Sequence, residues 1–367
     1  MLSNNSKKVL IMAGGTGGHI FPAMSIAEKL LQRGALVEWL GSNGGLEKEI
    51  VNKTSIPIHL IAAKGVRGGG FFSLLKAPFM IAKATWQALR IIRNVNPDCV
   101  LGMGGFVTGP GGVAAKLKGK KLIIHEQNAV PGATNKILAI VADRVLEAFP
   151  ETFTNRRKVT VTGNPIRDAV LNVSKTRVTQ LQDDRALHIL VIGGSQGAQG
   201  INQAVVKMLS QWKAGQIPEI VHQVGQRNLD AMLASYREHG LEEGPGLRIM
   251  GFLDDIAEYF SWADLVIGRS GASTVCELAV AGLPAILVPY PYHKDNQQLE
   301  NAKWLAAAGA AIIIEQSQLS SGQLGELLFE LSEDREKLSA MSSAALELGQ
   351  PGASEKIAEI CLEPEHA

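Results

Sequence analysis

A glycine-rich loop in the N-terminal half holds the first residues whose types and spacing could do chemistry. Gly14-Gly15-Thr16-Gly17-Gly18-His19 follows an apolar run and precedes a helical pattern. Glycine lets a backbone approach a ligand closely, and a helix N-terminus favours anionic groups. The loop lacks the dinucleotide fingerprint because residue 20 is isoleucine, and the chain has no Walker Gly-Lys-Ser/Thr. We interpret it as a ligand loop rather than only a tight turn. His19 is either a structural histidine or, in its neutral form, a general base.

A second glycine-rich loop and a polar run follow two other apolar runs. Gly102–Gly112 could hold a further phosphate, or it could be a crossover where backbone meets backbone. His125-Glu126-Gln127-Asn128 comes at the carboxyl end of an apolar strand, where open parallel sheets bind ligands. Four consecutive polar side chains favour a site over a core position, and an ordinary polar loop is the alternative. Two glycine loops in one half predict a substrate with several phosphates.

The C-terminal half carries a related set of motifs. Ser195-Gln196-Gly197-Ala198 repeats the strand-then-glycine pattern of the first loop. Arg269–Glu277 offers backbone N–H groups and hydroxyls that suit a diphosphate. Glu277, about one helical turn further on, could accept two hydrogen bonds from a ribose diol; the alternative is a capped helix with a solvated glutamate. The polar side chains of His293–Gln298 suit sugar hydroxyls, or simply begin a helix.

Apolar runs alternate with helical patterns along the chain, which predicts βαβ units and parallel sheets. The predicted strands are Val9–Met12, Val37–Leu40, Ile58–Ala62, Cys99–Met103, Leu122–His125, Arg144–Ala148, Val159–Val161, Ile189–Ile192, Glu219–Val224, Leu247–Met250, Leu265–Ile267, Ala285–Val288 and Ala311–Ile314. Because the strand–glycine loop–helix pattern occurs twice, half a chain apart, we expect an α/β fold of two Rossmann-like domains. The first spans 1–165 and is joined by a C-terminal helix at about 350–367, and the second spans 166–349.

Charge divides the chain in a way that its net value of +1 hides. Residues 1–165 hold 21 Lys/Arg and 9 Asp/Glu (+12), whereas residues 166–367 hold 15 and 26 (−11). The total excludes a strongly basic nucleic-acid binder, and the asymmetry suggests different partners for the two halves. Three scattered cysteines favour a reducing compartment. No apolar run approaches the ~18 residues of a membrane span, so we expect a soluble or peripheral cytoplasmic protein without a metal site.

An amphipathic segment in the basic half suggests contact with a membrane surface. Residues 71–93 interleave apolar and aromatic side chains with cations, and the lysine-rich run Lys116–Lys121 is near in sequence. Such a face suits an anionic bilayer, although part of the stripe could simply pack on the sheet. The residues that we expect to be exposed are Phe71, Phe72, Leu75 and Phe79.

These motifs, taken together, are similar to those of the MurG family of bacterial peptidoglycan glycosyltransferases. The match covers nearly the whole chain, with the motifs in the same order. They are Gly14–His19 with Phe21-Pro22, Gly102–Pro110, His125–Asn128, Gly163-Asn164-Pro165-Ile166-Arg167, Gly193–Ala198, Arg269–Glu277 and His293–Gln298. One departure is Pro291-Tyr292 ahead of His293, where the family pattern is shorter.

The resemblance implies a GT-B fold, with two Rossmann-like domains whose parallel sheets face an inter-domain cleft. It implies an inverting transfer of GlcNAc from UDP-GlcNAc to the 4-hydroxyl of undecaprenyl-diphospho-MurNAc-pentapeptide (lipid I), forming lipid II, with no cofactor. It also implies a peripheral location at the cytoplasmic face of the inner membrane. Implied partners are UDP-GlcNAc, lipid I, the anionic membrane surface and other cell-wall synthesis or division proteins, but no nucleic acid.

Residue roles follow from the same resemblance. Ser195 and the loop 270–274 face the UDP phosphates, Glu277 takes the ribose, and the Leu253 backbone takes the uracil. The UDP-GlcNAc residues are therefore Thr16, Gly17, Gly18, Asn128, Arg167, Ser195, Leu253, Ser270, Gly271, Ala272, Ser273, Thr274, Glu277, Gln297 and Gln298. The acceptor diphosphate is assigned to Gly14, Gly15, Gly104, Gly105 and Thr108.

Inverting transfer needs a base for the acceptor proton and neutralisation of the departing diphosphate. Since no Asp-x-Asp sequence could hold a metal, helix dipoles and loop N–H groups must supply the electrostatics. Our hypothesis makes His19 the base, with Glu126 as the second candidate. Other GT-B enzymes, such as a UDP-GlcNAc 2-epimerase or a glycolipid glycosyltransferase, and a non-catalytic sugar-nucleotide binding protein are the alternatives. An NAD-dependent dehydrogenase is the most distant alternative, because the dinucleotide fingerprint is missing.

Overall fold

The computed structural model describes residues 6–63, 71–154, 156–173, 185–194, 197–212, 217–293 and 295–364, with side chains for all of these except 71–76 and 156. The chain forms two compact units. The first consists of residues 1–167 and 351–367, and the second of residues 168–350. Expected positions Phe71, Phe72 and Leu75 have no described side chains, and Ser195 lies outside the described residues.

Each unit is built on one parallel sheet. The first sheet has seven strands in the order β3-β2-β1-β4-β5-β6-β7, and the second has six in the order β10-β9-β8-β11-β12-β13. The strands are β1 Lys8–Met12, β2 Leu36–Ser42, β3 Ile58–Ile61, β4 Cys99–Gly102, β5 Lys121–Glu126, β6 Arg144–Glu147, β7 Val159–Val161, β8 His188–Ile192, β9 Glu219–Gln223, β10 Leu247–Met250, β11 Leu265–Gly268, β12 Ala285–Leu287 and β13 Ala311–Ile313.

Helices connect the strands and lie between them in sequence, as parallel pairing requires. They are α1 Gly17–Gln32, α2 Leu46–Val51, α3 Phe71–Val95, α4 Thr108–Leu117, α5 Ala133–Val141, α6 Asp168–Leu171, α7 Gln199–Ser210, α8 Leu229–Glu238, α9 Ile256–Trp262, α10 Ala272–Ala281, α11 Gln297–Ala307, α12 Ser321–Glu333, α13 Arg335–Leu348 and α14 Ala353–Leu362.

The strands carry near-continuous apolar runs because helices cover both faces of each sheet. In the first unit, Val9 and Ile11 face one buried cluster while Leu10 and Met12 face the other. In the second unit, Ile189, Val191 and Ile267 belong to a large buried cluster that also takes in residues of α7 and α12. The alternation along β1 shows the two-residue period of a strand buried on both sides.

Helix α14 returns the chain to the first unit. It packs against α1, and Arg33 pairs with Glu355 at 3.3 Å and with Glu359 at 2.8 Å. Lys121 donates from Nζ to the carbonyl oxygens of Ile360 and Glu363, at 2.8 and 3.0 Å. Lys121 is therefore buried beneath α14 and does not contribute to the cationic rim suggested for the run Lys116–Lys121.

The α/β fold of two Rossmann-like domains with parallel sheets is confirmed. All thirteen predicted strands are present, each within one or two residues of its expected ends. Among the described residues, no helix is both long enough and apolar enough to span a bilayer.

Candidate active site

The strand order brings the predicted loops together within each unit. In both sheets the chain order reverses next to a central strand, between β1 and β4 in the first and between β8 and β11 in the second. Ligands of open parallel sheets bind at the carboxyl ends of strands at such a switch point. The loops after β1 and β4 hold Gly14–His19 and Gly104–Gly105, and the loops after β8 and β11 hold Gly193–Ala198 and Arg269–Thr274. Four of the predicted motifs therefore lie at two switch points.

The two glycine loops of the first unit touch through their backbones. Gly105 has φ +85°, and a Cβ added there would overlap the carbonyl oxygen of Gly14. Only glycine accepts both that conformation and that close approach. The second glycine-rich loop is therefore a place where backbone meets backbone, as one of its two interpretations predicted. The contact sets residues 104–105 beside residues 14–15 of the first loop.

A buried carboxylate that the sequence analysis missed holds this structure. Glu47, fully buried on α2, accepts hydrogen bonds at Oε1 from the Ser42 N–H and the Ser42 hydroxyl, both at 2.7 Å. Its Oε2 accepts from the Gly15 N–H at 3.2 Å. The sequence did contain a hint of this role: residues 42–45 form a turn, and Glu47 follows in the first turn of α2.

Helix α1 begins directly after this loop with its first N–H groups available. Its N-cap residue is Thr16, no described side chain caps it, and its first turn has no acidic residue. Thr16 and Gly18 are exposed and Gly17 is half-buried. Unsatisfied N–H groups and the helix dipole together make such an end attractive to an anion.

Thr108 does not reach solvent, in contrast to its assignment to the acceptor diphosphate. It is fully buried. Its hydroxyl lies 2.8 Å from the Gly104 carbonyl oxygen, 3.2 Å from the Met12 carbonyl oxygen and 3.2 Å from the Gly104 N–H. We correct its assignment: Thr108 ties the second glycine loop to the end of β1, and the glycines remain as candidate ligand contacts.

The polar run after β5 is also buried, contrary to expectation. His125, Glu126 and Gln127 are all almost inaccessible, and only Asn128 is half-buried. Burial is tolerated because each polar atom finds a partner. His125 Nε2 lies 3.0 Å from the Gly163 carbonyl oxygen, and burial lowers the pKa of His125 to about 4. His125 is consequently neutral at physiological pH.

Glu126 is enclosed by hydrogen-bond donors. Its Oε1 accepts from the Asn128 N–H at 3.1 Å and from Asn128 Nδ2 at 3.2 Å. Its Oε2 accepts from the Gly132 N–H at 3.0 Å and from Asn135 Nδ2 at 2.9 Å. Four donors stabilise the anion and fix the loop that carries Asn128, which gives Glu126 a positioning role.

His19 lies at the start of α1, half-buried, with its imidazole directed at the other motifs. Its Nδ1 is 3.0 Å from Gln127 Oε1. A Cβ added at Gly104 would lie 2.7 Å from the same nitrogen, so that glycine leaves room for the ring. The first unit thus joins His19, the polar run and both glycine loops in one cluster.

In the second unit, α10 begins at the loop after β11 without a side-chain cap from the described residues. The Ser273 hydroxyl oxygen is buried and has no hydrogen-bond partner within the described structure. Ser270, by contrast, is fully buried and donates to the Gln298 carbonyl oxygen at 2.7 Å. The Ser270 hydroxyl therefore joins this loop to the start of α11, and the Ser273 hydroxyl is available for a hydrogen bond.

Glu277 on α10 is 8% exposed, so the alternative of a solvated glutamate is wrong.

The remaining predicted donor residues lie in three other places. Gln297 and Gln298 are the first residues of α11, and Gln298 Oε1 accepts from the Tyr290 N–H at 2.8 Å. Leu253 is buried in the loop between β10 and α9. Arg167, the last residue of the first unit, is half-buried.

Gln223 is a second residue that the sequence analysis missed. Its Oε1 accepts from the Gly193 N–H, and its Nε2 donates to the carbonyl oxygens of Gly194 and Gly251, each at 3.1 Å. One carboxamide therefore connects the loop after β8 with the loop that carries Leu253. Its only sequence signal is a polar residue at the end of the apolar strand β9.

Three neighbouring helices of the first unit present large apolar side chains to solvent. Phe79 on α3 is 81% exposed, as expected, and Ile140 on α5 is 77% exposed. Helix α4 packs against both α3 and α5. The guanidinium of Arg90 lies 3.8 Å from the centroid of the exposed Trp86 ring. We call the exposed apolar side chains of α3, α4 and α5 the apolar face; they are Phe79, Ile81, Trp86, Val113, Leu117, Ile137, Ile140 and Val141.

Comparison with known proteins places the chain in a family. Residues 9–147 match the glycosyltransferase family 28 N-terminal domain, and residues 188–359 match the glycosyltransferase family 28 C-terminal domain. A protein of Pseudomonas fluorescens (strain SBW25) named UDP-N-acetylglucosamine–N-acetylmuramyl-(pentapeptide) pyrophosphoryl-undecaprenol N-acetylglucosamine transferase is 46% identical over 359 residues, 98% of this chain and 99% of the relative.

Solved structures agree in fold. The crystal structure of Acinetobacter baumannii MurG has a TM-score of 0.82 at 40% identity, over 97% of this chain and 99% of the other. The UDP-GlcNAc 2-epimerase from Neisseria meningitidis has a TM-score of 0.68 at 14% identity, over 96% and 98%, and is similar in fold alone. The chain therefore belongs to glycosyltransferase family 28 and, within it, to the UDP-N-acetylglucosamine–N-acetylmuramyl-(pentapeptide) pyrophosphoryl-undecaprenol N-acetylglucosamine transferases.

Proposed function

We propose that the protein transfers GlcNAc from UDP-GlcNAc to the 4-hydroxyl of lipid I and so forms lipid II. The observation that carries this proposal is the 46% identity, over almost the full length of both chains, to relatives named as transferases of this type. The epimerase alternative rests on likeness of fold alone.

The second unit binds the donor diphosphate through backbone N–H groups and a hydroxyl. The diphosphate takes the N–H groups at the start of α10 and the Ser273 hydroxyl, which is buried without a partner among the described residues. Such N–H groups favour an anion without a bulk positive charge. The buried Glu277 carboxylate accepts from the ribose hydroxyls, and Gln297 and Gln298 bind the GlcNAc.

The first unit binds the acceptor and supplies the base. The acceptor diphosphate lies on the glycines of residues 14–15 and 104–105. His19 Nε2 takes the proton of the acceptor 4-hydroxyl as that oxygen attacks the anomeric carbon of GlcNAc. The bond between that carbon and the UDP oxygen breaks with its electron pair, which leaves on UDP, and the configuration inverts. Thr16, Gly17, Gly18, Asn128 and Arg167 contribute further contacts to the donor.

Of the two candidate bases, His19 is the better supported. Its Nε2 is free of the hydrogen bond to Gln127, which uses Nδ1. Glu126 has both carboxylate oxygens occupied by four donors. Those four hydrogen bonds use both oxygens of the carboxylate to hold the loop that carries Asn128.

The apolar face docks on an anionic bilayer, at the cytoplasmic face of the inner membrane. Support comes from Phe79 and Ile140, which leave large apolar surfaces in water, and from the exposed cations Lys83, Lys118 and Lys136 on the same three helices. Apolar insertion and attraction to anionic headgroups act together in peripheral membrane binding. A lipid-linked acceptor makes such docking useful, and further cell-wall synthesis or division proteins are candidate partners.

The decisive experiment measures UDP release from UDP-GlcNAc with and without a lipid I analogue, and identifies the product by mass. We expect release that depends on the acceptor and a disaccharide product. Formation of UDP-ManNAc, or of UDP and free ManNAc with consumption of water, independent of acceptor would indicate an epimerase. Binding of UDP-GlcNAc without turnover would indicate a binding protein.

A further inference from the structure

A chain of hydrogen bonds links a backbone carbonyl to the candidate base through two buried side chains. The Gly163 carbonyl oxygen lies 3.0 Å from His125 Nε2. His125 Nδ1 lies 3.0 Å from Gln127 Nε2. Gln127 Oε1 then lies 3.0 Å from His19 Nδ1. The chain has fixed ends, so the direction of every hydrogen bond in it can be deduced.

The first direction follows from the carbonyl, which can only accept. His125 must therefore carry its hydrogen on Nε2 to donate to Gly163. Since His125 is neutral at physiological pH, its Nδ1 has a lone pair and must accept. The donor to that lone pair is the Gln127 side-chain NH₂ group.

A second acceptor fixes the Gln127 carboxamide independently. The Gln127 Nε2 atom is also 3.4 Å from the His125 carbonyl oxygen. The reversed carboxamide would set its oxygen against that carbonyl and against the Nδ1 lone pair, two repulsive contacts in a buried site. The orientation with Oε1 towards His19 is thus the one that satisfies every group.

The last step concerns His19. Gln127 Oε1 can only accept, so His19 Nδ1 must carry a hydrogen. A neutral imidazole has one N–H, which leaves the lone pair on Nε2. We propose that Gln127, held by His125 and the Gly163 carbonyl, is a positioning residue that keeps His19 in the Nδ1–H tautomer, with Nε2 free to take the acceptor proton. This inference rests on the proposed role of His19 as base.

The arrangement also suits the protonated state of His19. When Nε2 takes the proton, the Nδ1–H···Oε1 bond to Gln127 remains, so the ring keeps its orientation through the reaction. The titratable groups on neighbouring elements are His125 and Glu126 on β5 and Glu47 on α2. A neutral carboxamide orients the imidazole without adding a charge that would favour its protonation before the acceptor binds.

Nitrogen-15 NMR of the full-length protein labelled at histidine reads the tautomer directly. Comparison with His19→Gln identifies the His19 signals. We expect wild-type His19 to show a protonated Nδ1 and an unprotonated Nε2, and Gln127→Met to show a mixture of both tautomers. A wild-type His19 protonated on Nε2 would overturn the inference.

Kinetics supply the second test. Gln127→Met should lower kcat about tenfold, the effect of one lost hydrogen bond, with little change in the KM for UDP-GlcNAc. Gln87→Met is the matched control, because it removes a carboxamide that accepts from the Ala62 N–H at 2.8 Å in the same unit. Equal losses of kcat in both variants would contradict a positioning role.

The pH profile separates orientation from packing. Gln127→Glu keeps an acceptor for Nδ1–H but adds a negative charge, so the acidic limb of kcat should move to higher pH; an unchanged limb would count against the contact. If His19→Gln turns over normally, the proposed base is wrong whatever the tautomer. If it is inactive but the wild-type tautomer is reversed, only the positioning role fails.

Discussion

The two glycine loops at the switch points have the same strand–loop–helix design but are held in different ways. In the first unit a buried carboxylate, Glu47, holds the loop, and the helix that follows begins with an imidazole, His19. In the second unit the loops are held by the Gln223 carboxamide and the Ser270 hydroxyl, and by the Arg269 guanidinium, which donates to the carbonyl oxygens of Val288 and Pro289. The comparison indicates that the first loop also positions a titratable group, whereas the second has no titratable side chain at the start of its helix.

The difference follows from what each loop must do. A base works only if its ring is held in one orientation, so the first loop needs strong, directional contacts. The loop proposed for the donor diphosphate needs open N–H groups at the start of its helix. The Glu277 carboxylate lies further along α10, away from the helix start.

The largest expected effect comes from removing the candidate base of the first unit. His19→Ala should lower kcat by about 10²–10⁴-fold, the usual contribution of a general base. Affinity for UDP should stay within about twofold in calorimetric titration, because the groups proposed for the uracil, the ribose and the diphosphate of UDP are in the second unit. His59→Ala, which removes a histidine that contacts Glu38 in the same unit, is the control. Near-normal turnover in His19→Ala would refute the assignment of the base.

Acidification should weaken both units, since each contains a buried neutral histidine. Burial lowers the pKa of His125 to about 4 and that of His222 to about 3, from an ordinary value of 6.5. Because the unfolded chain binds these protons first, stability is full above pH 6.5 and is lost as pH falls below it, by about 3 kcal/mol per histidine at pH 4.

Urea unfolding at pH 7 and pH 4.5 measures this loss. His222→Gln should reduce the pH dependence, whereas His239→Gln, at an exposed position, should not. Equal pH dependence in both variants and in the wild type would contradict the assignment.

The donor unit can be tested separately. Glu277→Ala should weaken UDP-GlcNAc binding about 10–100-fold, the effect of losing hydrogen bonds to a charged group, and should change kcat at saturation much less. Glu330→Ala, on the solvent side of α12, is the control. A fall in kcat without a change in donor affinity would mean that Glu277 has no part in donor binding.

The smallest effect concerns the surfaces of the two units. Phe79→Ser should weaken binding to vesicles with anionic lipid about tenfold, since burying a phenylalanine contributes about 1.5–3 kcal/mol. Phe329→Ser removes an exposed phenylalanine of the second unit and should have no effect. Binding of both variants should fall with salt, because cations of the first unit contribute about 1 kcal/mol each near the surface. Equal loss in the two variants would argue against the apolar face.

Local sequence patterns predicted the sheets well because most strands are short runs dominated by apolar residues and bounded by polar or glycine-containing turns. The same reasoning failed for His125–Gln127, where polarity suggested exposure. Two of their partners are distant in sequence: Gly163 lies 38 residues beyond His125, and His19 lies 108 residues before Gln127. Glu47 and Gln223 were missed for the same reason, since a buried polar side chain looks like a surface one until its tertiary partners are known. Lys121 was misjudged because α14, which covers it, comes 230 residues later in the chain.

Helix α14 has a consequence for biosynthesis. It covers the first unit's core with Ile357, Ala358 and Cys361, all buried. Its ion pair with Arg33 spans 322 residues of chain. Contacts of such sequence separation form slowly and only after the intervening chain exists. On the ribosome, the second unit can therefore complete its sheet before the first unit is closed. The core of the first unit is therefore completed only after synthesis reaches α14.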